Sequence, residues 1–538
     1  MKNTLLENSV ENWLINSNEL GYQSAFCQLL IADGYAIHQV RTHQGFEEGK
    51  DIIATDKNGD VHAFQLKGGD ITLTEWRKSI MVQIEELIFI PVKHVSIPTG
   101  SVHTSYLITN GFFNDHVSKS IEDFNQNKWK KHPLLAWDIG ILRQKFREFA
   151  KGFLPADISE TAQKLLWDLY SDSGRGDVNA THLNTFFEEV IPIKQSKNKS
   201  NLRRQIGILV LYSSYISQKY RECENWVSIV KILTITSSYI LLLVEKFSLE
   251  EKYWKASFDL LQNEISDSGE MLSIEIQSDS YPDKLYQDLT DGELGKFRLH
   301  SAVETVLAIK IMQFMRQESS WKDLDFLKLK EKFNHFLYPL GEGQIFSFFL
   351  CFWYVFLETS KLHFELLLQG MLLIIKSNGR LSPEDSIGIP NPYYDVEQLL
   401  KNKYLKSEEI EESFIGKSYL MGSFITLLVL HKQRTILEES WRDITYISQN
   451  KFVPKNLWQY FQWRSPEGKL VQQIPKQTEQ SWKELQKDIF KPKKADLPKS
   501  IKKRFEFIPM FLLFYPQRIC PEIIFLLEEK LKQLKNPQ

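Results

Sequence analysis

The feature that most constrains this chain lies at residues 45–70, which read GFEEGKDIIATDKNGDVHAFQLKGGD. The segment DKNGD has the composition of a tight turn, because glycine and asparagine accept the left-handed backbone that such turns require. The pattern therefore predicts a β-hairpin. With a three-residue loop that ends in a bulge at Gly59, Asp51 falls opposite Gln65 on the neighbouring strand.

Side chains alternate between the two faces of a strand, so Lys67 shares a face with Gln65, and the intervening apolar residues face a core. A two-residue Asn-Gly turn would instead pair Asp51 with Leu66 and separate the polar side chains. The sequence permits both turns. The polar cluster therefore depends on the turn type.

The residue types in this cluster predict a one-metal phosphodiesterase site. The Asp51 carboxylate and the Gln65 carbonyl are hard oxygen donors suited to Mg²⁺ or Mn²⁺, and the backbone carbonyl of Leu66 is a further candidate ligand. Lys67 would position the attacking water or stabilise charge on the phosphate. The alternative is a surface hairpin whose polar face simply points to water.

The sequence around the hairpin resembles the Mrr-like branch of the PD-(D/E)XK (restriction-endonuclease-like) nucleases. Residues 22–35, YQSAFCQLLIADGY, resemble the first helix of that family. GKDIIA at 49–54 resembles its GxD strand, and FQLK at 64–67 resembles its QxK strand. Residues 105–146 resemble the later strand–helix–strand–helix run. The resemblance covers roughly the first 150 residues.

This resemblance implies an α/β restriction-endonuclease-like domain that cleaves nucleic acid, with DNA favoured over RNA, in bacterial restriction or antiphage defence. It also implies Asp51, Gln65 and Lys67 as catalytic residues and Mg²⁺ or Mn²⁺ as the cofactor. The sequence departs from the family at the glutamate of the first helix, whose position falls on Gln23. The residues that would complete the metal shell are Gln23, Glu19 one turn earlier, and Glu47 or Glu48 in the loop before Asp51.

Bulk composition excludes some classes of protein. The formal net charge is −2 and the sequence pI is about 6.7, so nucleic-acid binding would rest on local patches. The four cysteines are widely spaced, which argues against a zinc site or a disulfide framework and fits a reduced cytoplasm. No signal peptide is expected, because acidic residues interrupt the N-terminal apolar positions.

Three apolar runs, at residues 227–244, 345–357 and 420–430, raise the question of membrane insertion. The second and third are shorter than the roughly 20 residues that a spanning helix needs. The first carries Lys231 and a polar TITSS centre. We interpret all three as buried core helices and expect no membrane partner, with a membrane-associated helical protein as the weaker alternative.

We expect residues 1–150 to form the nuclease domain, with the element order α-β-β-β-α-β-α-β-α and with Gly21 separating two N-terminal helices. Residues 151–265 are predicted as a helical domain. Residues 266–290 are polar and predicted as a hinge, and residues 290–538 as a helical sensor, binding or oligomerisation region. No ATP-binding motif occurs, so a ligand, a protein partner or homo-oligomer assembly is expected to control the nuclease.

Two basic stretches are candidate nucleic-acid contacts. Residues 194–204, KQSKNKSNLRR, carry five basic residues and no acid, and form either a phosphate contact or a solvated loop. Residues 491–504 carry seven basic residues against one acid, and form either a phosphate-binding strip or a solvated linker. The candidate binding residues of this second stretch are Lys493, Lys494, Lys499, Lys502, Lys503 and Arg504. His62, near the hairpin, is expected to be structural, although it is close enough in sequence to approach the site.

The sequence therefore predicts a metal-dependent endonuclease whose helical region regulates it. The competing hypothesis is a catalytically degenerate nuclease fold that acts as a nucleic-acid-binding or protein-binding scaffold. The absence of a carboxylate at Gln23 supports that second hypothesis.

Overall fold

The computed structural model of the protein divides into two compact units. Unit 1 contains Met1–Lys164 and Glu188–Ile216, and unit 2 contains Leu165–Phe187 and Ser217–Gln538. The structure describes all residues except 1–3, 41–48, 150–158, 171–173, 192–198, 279–291, 319–338, 360–361, 380–388, 390–415, 455, 463–468, 474–480, 491–496 and 537–538.

Unit 1 is built on a mixed sheet of five strands in the order β1-β2-β3-β4-β5. The first three strands are antiparallel neighbours, whereas β3, β4 and β5 run parallel to one another. The two parallel pairs require helical crossovers, which the chain supplies before β4 and before β5. The strands are β1 Ala36–Val40, β2 Ile52–Thr55, β3 Val61–Lys67, β4 His103–Thr109 and β5 Leu134–Trp137.

Helices cover both faces of this sheet, so strand residues on both faces are buried. Helices α1, α2 and α5 pack on the face that carries Ile52, Phe64 and Leu66. Helices α3 and α4 pack on the face that carries Ile53 and Ala63. The helices are α1 Thr4–Asn16, α2 Glu19–Ala32, α3 (Leu73–Glu75, the π-helical Trp76–Ile80 and Met81–Phe89), α4 Asp115–Gln126 and α5 Ile139–Phe149.

The hairpin between β2 and β3 adopts the three-residue loop. Thr55 pairs with Val61, the Asp56 amide donates to the Asp60 carbonyl at 3.0 Å, and Gly59 has φ +86°. Asp51 immediately precedes β2, its backbone amide donates to the Phe64 carbonyl at 2.9 Å, and its side chain contacts that of Gln65. The predicted three-residue loop and the contact between Asp51 and Gln65 are therefore confirmed, and the two-residue turn is excluded.

The predicted element order of unit 1 is confirmed, with one error near the N-terminus. Gly21 does not separate the first two helices, because it lies inside α2. The break falls at residues 17–18, where the Asn18 side chain accepts the Gly21 amide and caps α2. A local capping bond therefore outweighs the low helix propensity of glycine.

Part of a later helix also belongs to unit 1. The helix α8, Lys199–Glu222, contributes Leu211 to the core that contains α1 and α2. Gly207 packs on α1, where a Cβ would lie 3.5 Å from the Trp13 Cα. A chain segment outside residues 1–150 therefore completes this unit.

Unit 2 is mostly helical, and the expectation of an all-α region is too narrow. A small sheet of three strands, β6 Lys417–Ser418, β7 Ser448–Val453 and β8 Lys469–Gln473, accompanies the helices. The described helices that remain along the chain are α6 Glu160–Tyr170, α7 Ala180–Val190, α9 Trp226–Phe247, α10 Lys255–Gln277, α11 Gly292–Met315, α12 Ser347–Thr359, α13 Phe364–Asn378, α14 Met421–Leu430, α15 Arg434–Ile444, α16 Leu457–Phe461, α17 Trp482–Phe490, α18 Lys499–Lys503, α19 Ile508–Phe514 and α20 Pro521–Lys535.

The predicted hinge at residues 266–290 is wrong over its first part, because α10 continues to Gln277. Its small polar residues Ser266, Ser268 and Ser273 are buried rather than exposed, and Gly269 lets Ile309 of α11 approach closely. Close helix packing thus stabilises a segment whose composition favours a loop. The predicted domain bound at 265 lies within this helix, and residues 279–290 lie outside the described part of the chain.

The apolar run near residue 235 is a helix of the interior of unit 2. Among the described helices, Trp226–Phe247 alone is long and apolar enough to cross a membrane, and 94% of its most apolar window is buried. The expectation that the chain has no membrane partner stays a prediction.

Candidate active site

The centre of the candidate site is a hydrogen-bonded pair of side chains across the hairpin. The Gln65 amide nitrogen donates to Asp51 Oδ2 at 2.7 Å, and the Leu66 backbone amide donates to the same oxygen at 2.6 Å. Both side chains are buried, with Asp51 3% and Gln65 1% exposed. The register of the hairpin thus brings together the first two predicted site residues.

The carboxamide oxygen of Gln65 is the most unusual atom of this pair. It is buried, and within the described part of the chain it accepts no hydrogen bond. Leaving a buried acceptor unpaired costs about 1–3 kcal/mol. The backbone amide and carbonyl of one strand residue point to the same side, so the Leu66 carbonyl also faces the Asp51 strand.

Lys67 ends β3 and lies at the edge of the sheet. Its Nζ is 3.9 Å from a carboxylate oxygen of Glu19 in the first turn of α2, and both side chains are partly exposed. The next residue, Gly68, packs on the same turn, where a Cβ would lie 3.1 Å from the Glu19 amide nitrogen. Glu19, one of the carboxylates predicted to complete the site, therefore reaches Lys67.

Tyr22 ties the end of β3 to the same helix. Its hydroxyl donates to the Lys67 carbonyl at 2.8 Å and lies 3.4 Å from the Ile108 carbonyl of β4. Burial first, and then the negative charges of Glu19 and Asp51, raise the pKa of Tyr22 well above its usual value. The hydroxyl therefore stays protonated and remains a donor. Sequence analysis assigned no role to Tyr22, because a tyrosine on an apolar helix face has the pattern of ordinary core packing.

The ends of β3 and β4 are joined by Asn110, for which the sequence alone predicts no role. Its side chain accepts the Gly69 amide at 2.7 Å and donates to the carbonyls of Leu14 and Ser17. Gly111 approaches so closely that a Cβ would lie 2.2 Å from the Gly69 carbonyl carbon. Other parts of the chain therefore approach Gly68 and Gly69 closely, namely α2 and the residues after β4.

Of the remaining candidates for the metal shell, one is described by the structure and two are not. Gln23 is buried on α2, one turn after Glu19. Glu47 and Glu48 lie outside the described residues. His62 does not belong to the pair, because it faces the opposite side of β3, 3.6 Å from Asp56 and among the rings of Tyr35 and Tyr106. Its structural interpretation is consistent with that position.

The described residues of the second basic stretch, residues 491–504, comprise exposed lysines and one arginine that has partners inside unit 2. Lys499, Lys502 and Lys503 are exposed on and beside α18, whereas Lys493 and Lys494 lie outside the described residues. The Arg504 guanidinium lies over the Trp254 ring and 3.3 Å from Asp259. Arg504 therefore has partners within unit 2, and the exposed lysines carry the remaining binding capacity of this stretch.

The chemistry of the central pair fits a divalent cation. Asp51 supplies a charged oxygen, and Gln65 supplies a buried carbonyl oxygen without a donor. Oxygen donors of these two kinds are those that Mg²⁺ prefers. Among the described residues no group of three or more His, Cys, Asp or Glu side chains is arranged to hold a metal, so such an ion would keep several waters.

Comparison of the chain with protein-family models, with curated proteins and with solved structures gave no match. The fold and the side-chain geometry therefore carry the functional argument.

Proposed function

We propose that this protein is a metal-dependent endonuclease that cleaves phosphodiester bonds of nucleic acid, with DNA favoured over RNA. The observation that carries the proposal is the Gln65 carboxamide oxygen, which is buried beside the Asp51 carboxylate and accepts no hydrogen bond among the described residues. A cation held by both oxygens would remove the cost of that unpaired acceptor.

Asp51, Gln65 and the Leu66 carbonyl would hold Mg²⁺ or Mn²⁺, which supplies Lewis acidity at the phosphate and a more acidic bound water. Lys67 stands at the strand end, where its ammonium can orient the attacking water or balance charge on the attacked phosphate. Glu19 and Tyr22 restrain Lys67, the first through its side chain and the second through its backbone carbonyl.

The architecture of unit 1 supports the proposal in a second way. Three antiparallel strands followed by two parallel strands, with an N-terminal helix beside the strand that ends at Lys67, fit the domain that the resemblance to Mrr-like nucleases implies. By that resemblance, the biological role is restriction or antiphage defence in the bacterial cytoplasm. The helical unit 2 would then sense a ligand or protein partner, or mediate homo-oligomer assembly.

A second candidate function is a nucleic-acid-binding or protein-binding scaffold without catalysis. The observation that favours it is the small number of carboxylates at the site. Gln23 stands where the resemblance expects a glutamate, and Glu19 is paired with Lys67. With Asp51 as the one charged ligand among the described residues, affinity for a divalent cation would be weak.

The test is cleavage of plasmid DNA and of a mixed RNA by the purified full-length chain with Mg²⁺, with Mn²⁺ and with EDTA. Asp51→Ala and Lys67→Ala are the site variants. Asp60→Ala and Lys57→Ala are matched controls, because they remove the same charges from the exposed turn of the same hairpin. We expect metal-dependent cleavage that both site variants lose and both controls keep.

Cleavage that survives in both site variants would refute the assignment of these residues. If no protein cleaves, calorimetry of Mn²⁺ binding separates the two candidates. A regulated nuclease binds the metal and loses binding in Asp51→Ala, whereas a degenerate scaffold binds no metal with or without the substitution.

A further inference from the structure

We propose that Arg204, on helix α8, contacts a backbone phosphate of the nucleic-acid substrate next to the edge that carries Lys67. The inference rests on the proposed endonuclease function and adds a substrate contact from a segment outside residues 1–150. It assigns a role to the basic run at residues 194–204, whose last two arginines are half-buried on a helix.

The position of α8 on unit 1 is set by packing. Gly207 lets α8 lie directly on α1 at Trp13, and Leu211, one turn further on, is buried in the core beneath α1 and α2. Arg204 precedes Gly207 by three residues, so it lies on the same side of α8. The packing of Gly207 and Leu211 therefore places Arg204 against unit 1.

The guanidinium of Arg204 lies on the first turn of α2. A Cβ at Gly21 would be 3.2 Å from its Nε and 3.3 Å from its Cζ. Gly21 thus leaves the space that the planar guanidinium occupies. Its neighbour Tyr22 is the residue whose hydroxyl binds the Lys67 carbonyl. Arg204 and Lys67 therefore flank the same helical turn.

That turn and the strand ends form one continuous edge. Asn110 connects Ser17, just before α2, to the Gly69 amide just after β3. Gly68 lies against the backbone of Glu19. A phosphate chain that passes the end of β3 at Lys67 therefore continues along the first turn of α2, where Arg204 is placed.

The charges at this edge call for a further cation. The carboxylates of Asp51, Glu19 and Asp70 lie on or beside it, whereas Lys67 is the cation of the strand end. A bound divalent metal and Lys67 together would only about neutralise these three carboxylates. They would leave no net positive charge to attract a polyanion. Arginine is well suited to the missing contact, because its planar guanidinium binds phosphate oxygens in pairs.

The experiment measures binding of a short labelled DNA duplex and of a labelled single strand by the full-length chain in EDTA, over a series of salt concentrations. Arg204→Gln is compared with Arg204→Lys, which keeps the charge. Arg143→Gln is the matched control, since Arg143 is an arginine of the same unit that pairs with Glu11 at 2.7 Å. Thermal unfolding of each variant reports its folding.

We expect Arg204→Gln to weaken duplex binding and to lower the slope of log affinity against log salt by about 0.9, or by about 0.7 for a single strand. Arg204→Lys and Arg143→Gln should keep the wild-type slope. A wild-type slope in Arg204→Gln overturns the inference. If Arg204→Gln does not fold, Arg204→Lys decides instead. A several-fold weaker affinity with a wild-type slope supports the contact, because lysine keeps the charge but lacks the planar guanidinium, whereas wild-type affinity and slope overturn it.

The outcome also separates this inference from the proposed function. If the wild-type protein cleaves nucleic acid and Arg204→Gln has the same slope of log affinity against log salt as the wild type, only the arginine contact is refuted. A wild-type protein that cleaves no nucleic acid, binds neither probe and binds no Mn²⁺ refutes both.

Discussion

The two ends of the Gln65 carboxamide have different surroundings, and this difference defines the site at the scale of single residues. The nitrogen is satisfied by Asp51, whereas the oxygen is buried with no donor among the described residues. A surface hairpin with its polar face in water, the alternative open at the level of sequence, does not describe these buried side chains. Because this oxygen is buried, the simplest role for Gln65 is to bind a cation through it.

A prediction at this scale concerns Tyr22. In Tyr22→Phe the ring stays in the core but the Lys67 carbonyl loses its donor. We expect the free energy of unfolding to fall by about 1 kcal/mol, because a partly buried carbonyl loses a hydrogen-bond donor. We also expect kcat for cleavage to fall about tenfold with little change in KM, because Lys67 is less well positioned. Chemical denaturation and steady-state kinetics measure the two effects.

The matched control is Tyr106→Phe. Tyr106 is also buried, on the same sheet, but its ring lies against His62 and Phe64, three to five positions along the strands from Lys67. It should lose stability without a specific loss of kcat. Equal kcat values for the two variants would show that Tyr22 acts on stability alone.

At the scale of elements, the turn of the hairpin decides whether a site exists. Asp56 Oδ1 accepts the backbone amides of Asn58 and Asp60 at 2.9 Å each, and Gly59 adopts the positive φ that the loop needs. These local bonds favour the three-residue loop over the two-residue turn. The β2–β3 register follows from that choice, and the Asp51 and Gln65 side chains meet at the end of the paired strands.

A second element, the start of α14 in unit 2, is capped by a buried carboxyl group. Glu342 accepts hydrogen bonds from the Ser418 hydroxyl and from the backbone amides of Tyr419 and Leu420. Burial raises the pKa of Glu342 to about 7, although its three hydrogen-bond donors act in the opposite direction. Glu342 therefore stays protonated in the folded chain at pH values at which it is ionised in the unfolded chain.

We predict that Glu342→Gln changes how stability depends on pH. Between the ordinary carboxyl value of 4.5 and about 7, the folded state binds more protons at Glu342 than the unfolded state does. Stability of unit 2 should therefore decrease as pH rises through this window, by up to about 3 kcal/mol. The substitution removes the titrating group, so the decrease should be absent from its denaturation profile.

The control for this prediction is Glu438→Gln, which removes an exposed carboxylate of the same unit. Its pH profile should parallel that of the wild type. A Glu342→Gln profile that also parallels the wild type would mean that Glu342 titrates normally in the folded chain.

At the scale of the whole molecule, unit 1 is discontinuous in sequence. Residues 188–216 group with the N-terminal segment, although they lie in the region predicted as a helical domain at 151–265. The reason is the apolar contact of α8, since Leu211 belongs to the same core as Trp13 and Phe26. A nuclease domain that ended at residue 150 would leave this part of its core uncovered.

We therefore predict that a fragment of residues 1–150 is less stable than a fragment of residues 1–222, which ends with α8. The second fragment with Leu211→Ala is the matched control, and removal of this buried side chain should cost about 2–5 kcal/mol. Thermal unfolding and limited proteolysis measure the order of stability. A 1–150 fragment as stable as the longer one would show that α8 is dispensable for unit 1.

The sequence by itself determined the element order of residues 1–150 and the position of the hairpin, and it offered the pairing of Asp51 with Gln65 as one of two possible registers. These features follow from local chemistry, namely strand alternation, turn residues and helix caps, which act between residues close in the chain. Asn114 and Asp138, for example, cap α4 and α5 as their positions before apolar helical runs predict.

Only the tertiary structure decided which distant segments complete the site. Tyr22 reaches Lys67 from 45 positions away, and Asn110 reaches Gly69 from 41. Packing against distant segments also explains why α10 continues through a polar segment and why α8 belongs to unit 1. In each case the stabilising contact is with a surface that is assembled only when the chain folds, and no local pattern in a single sequence encodes it.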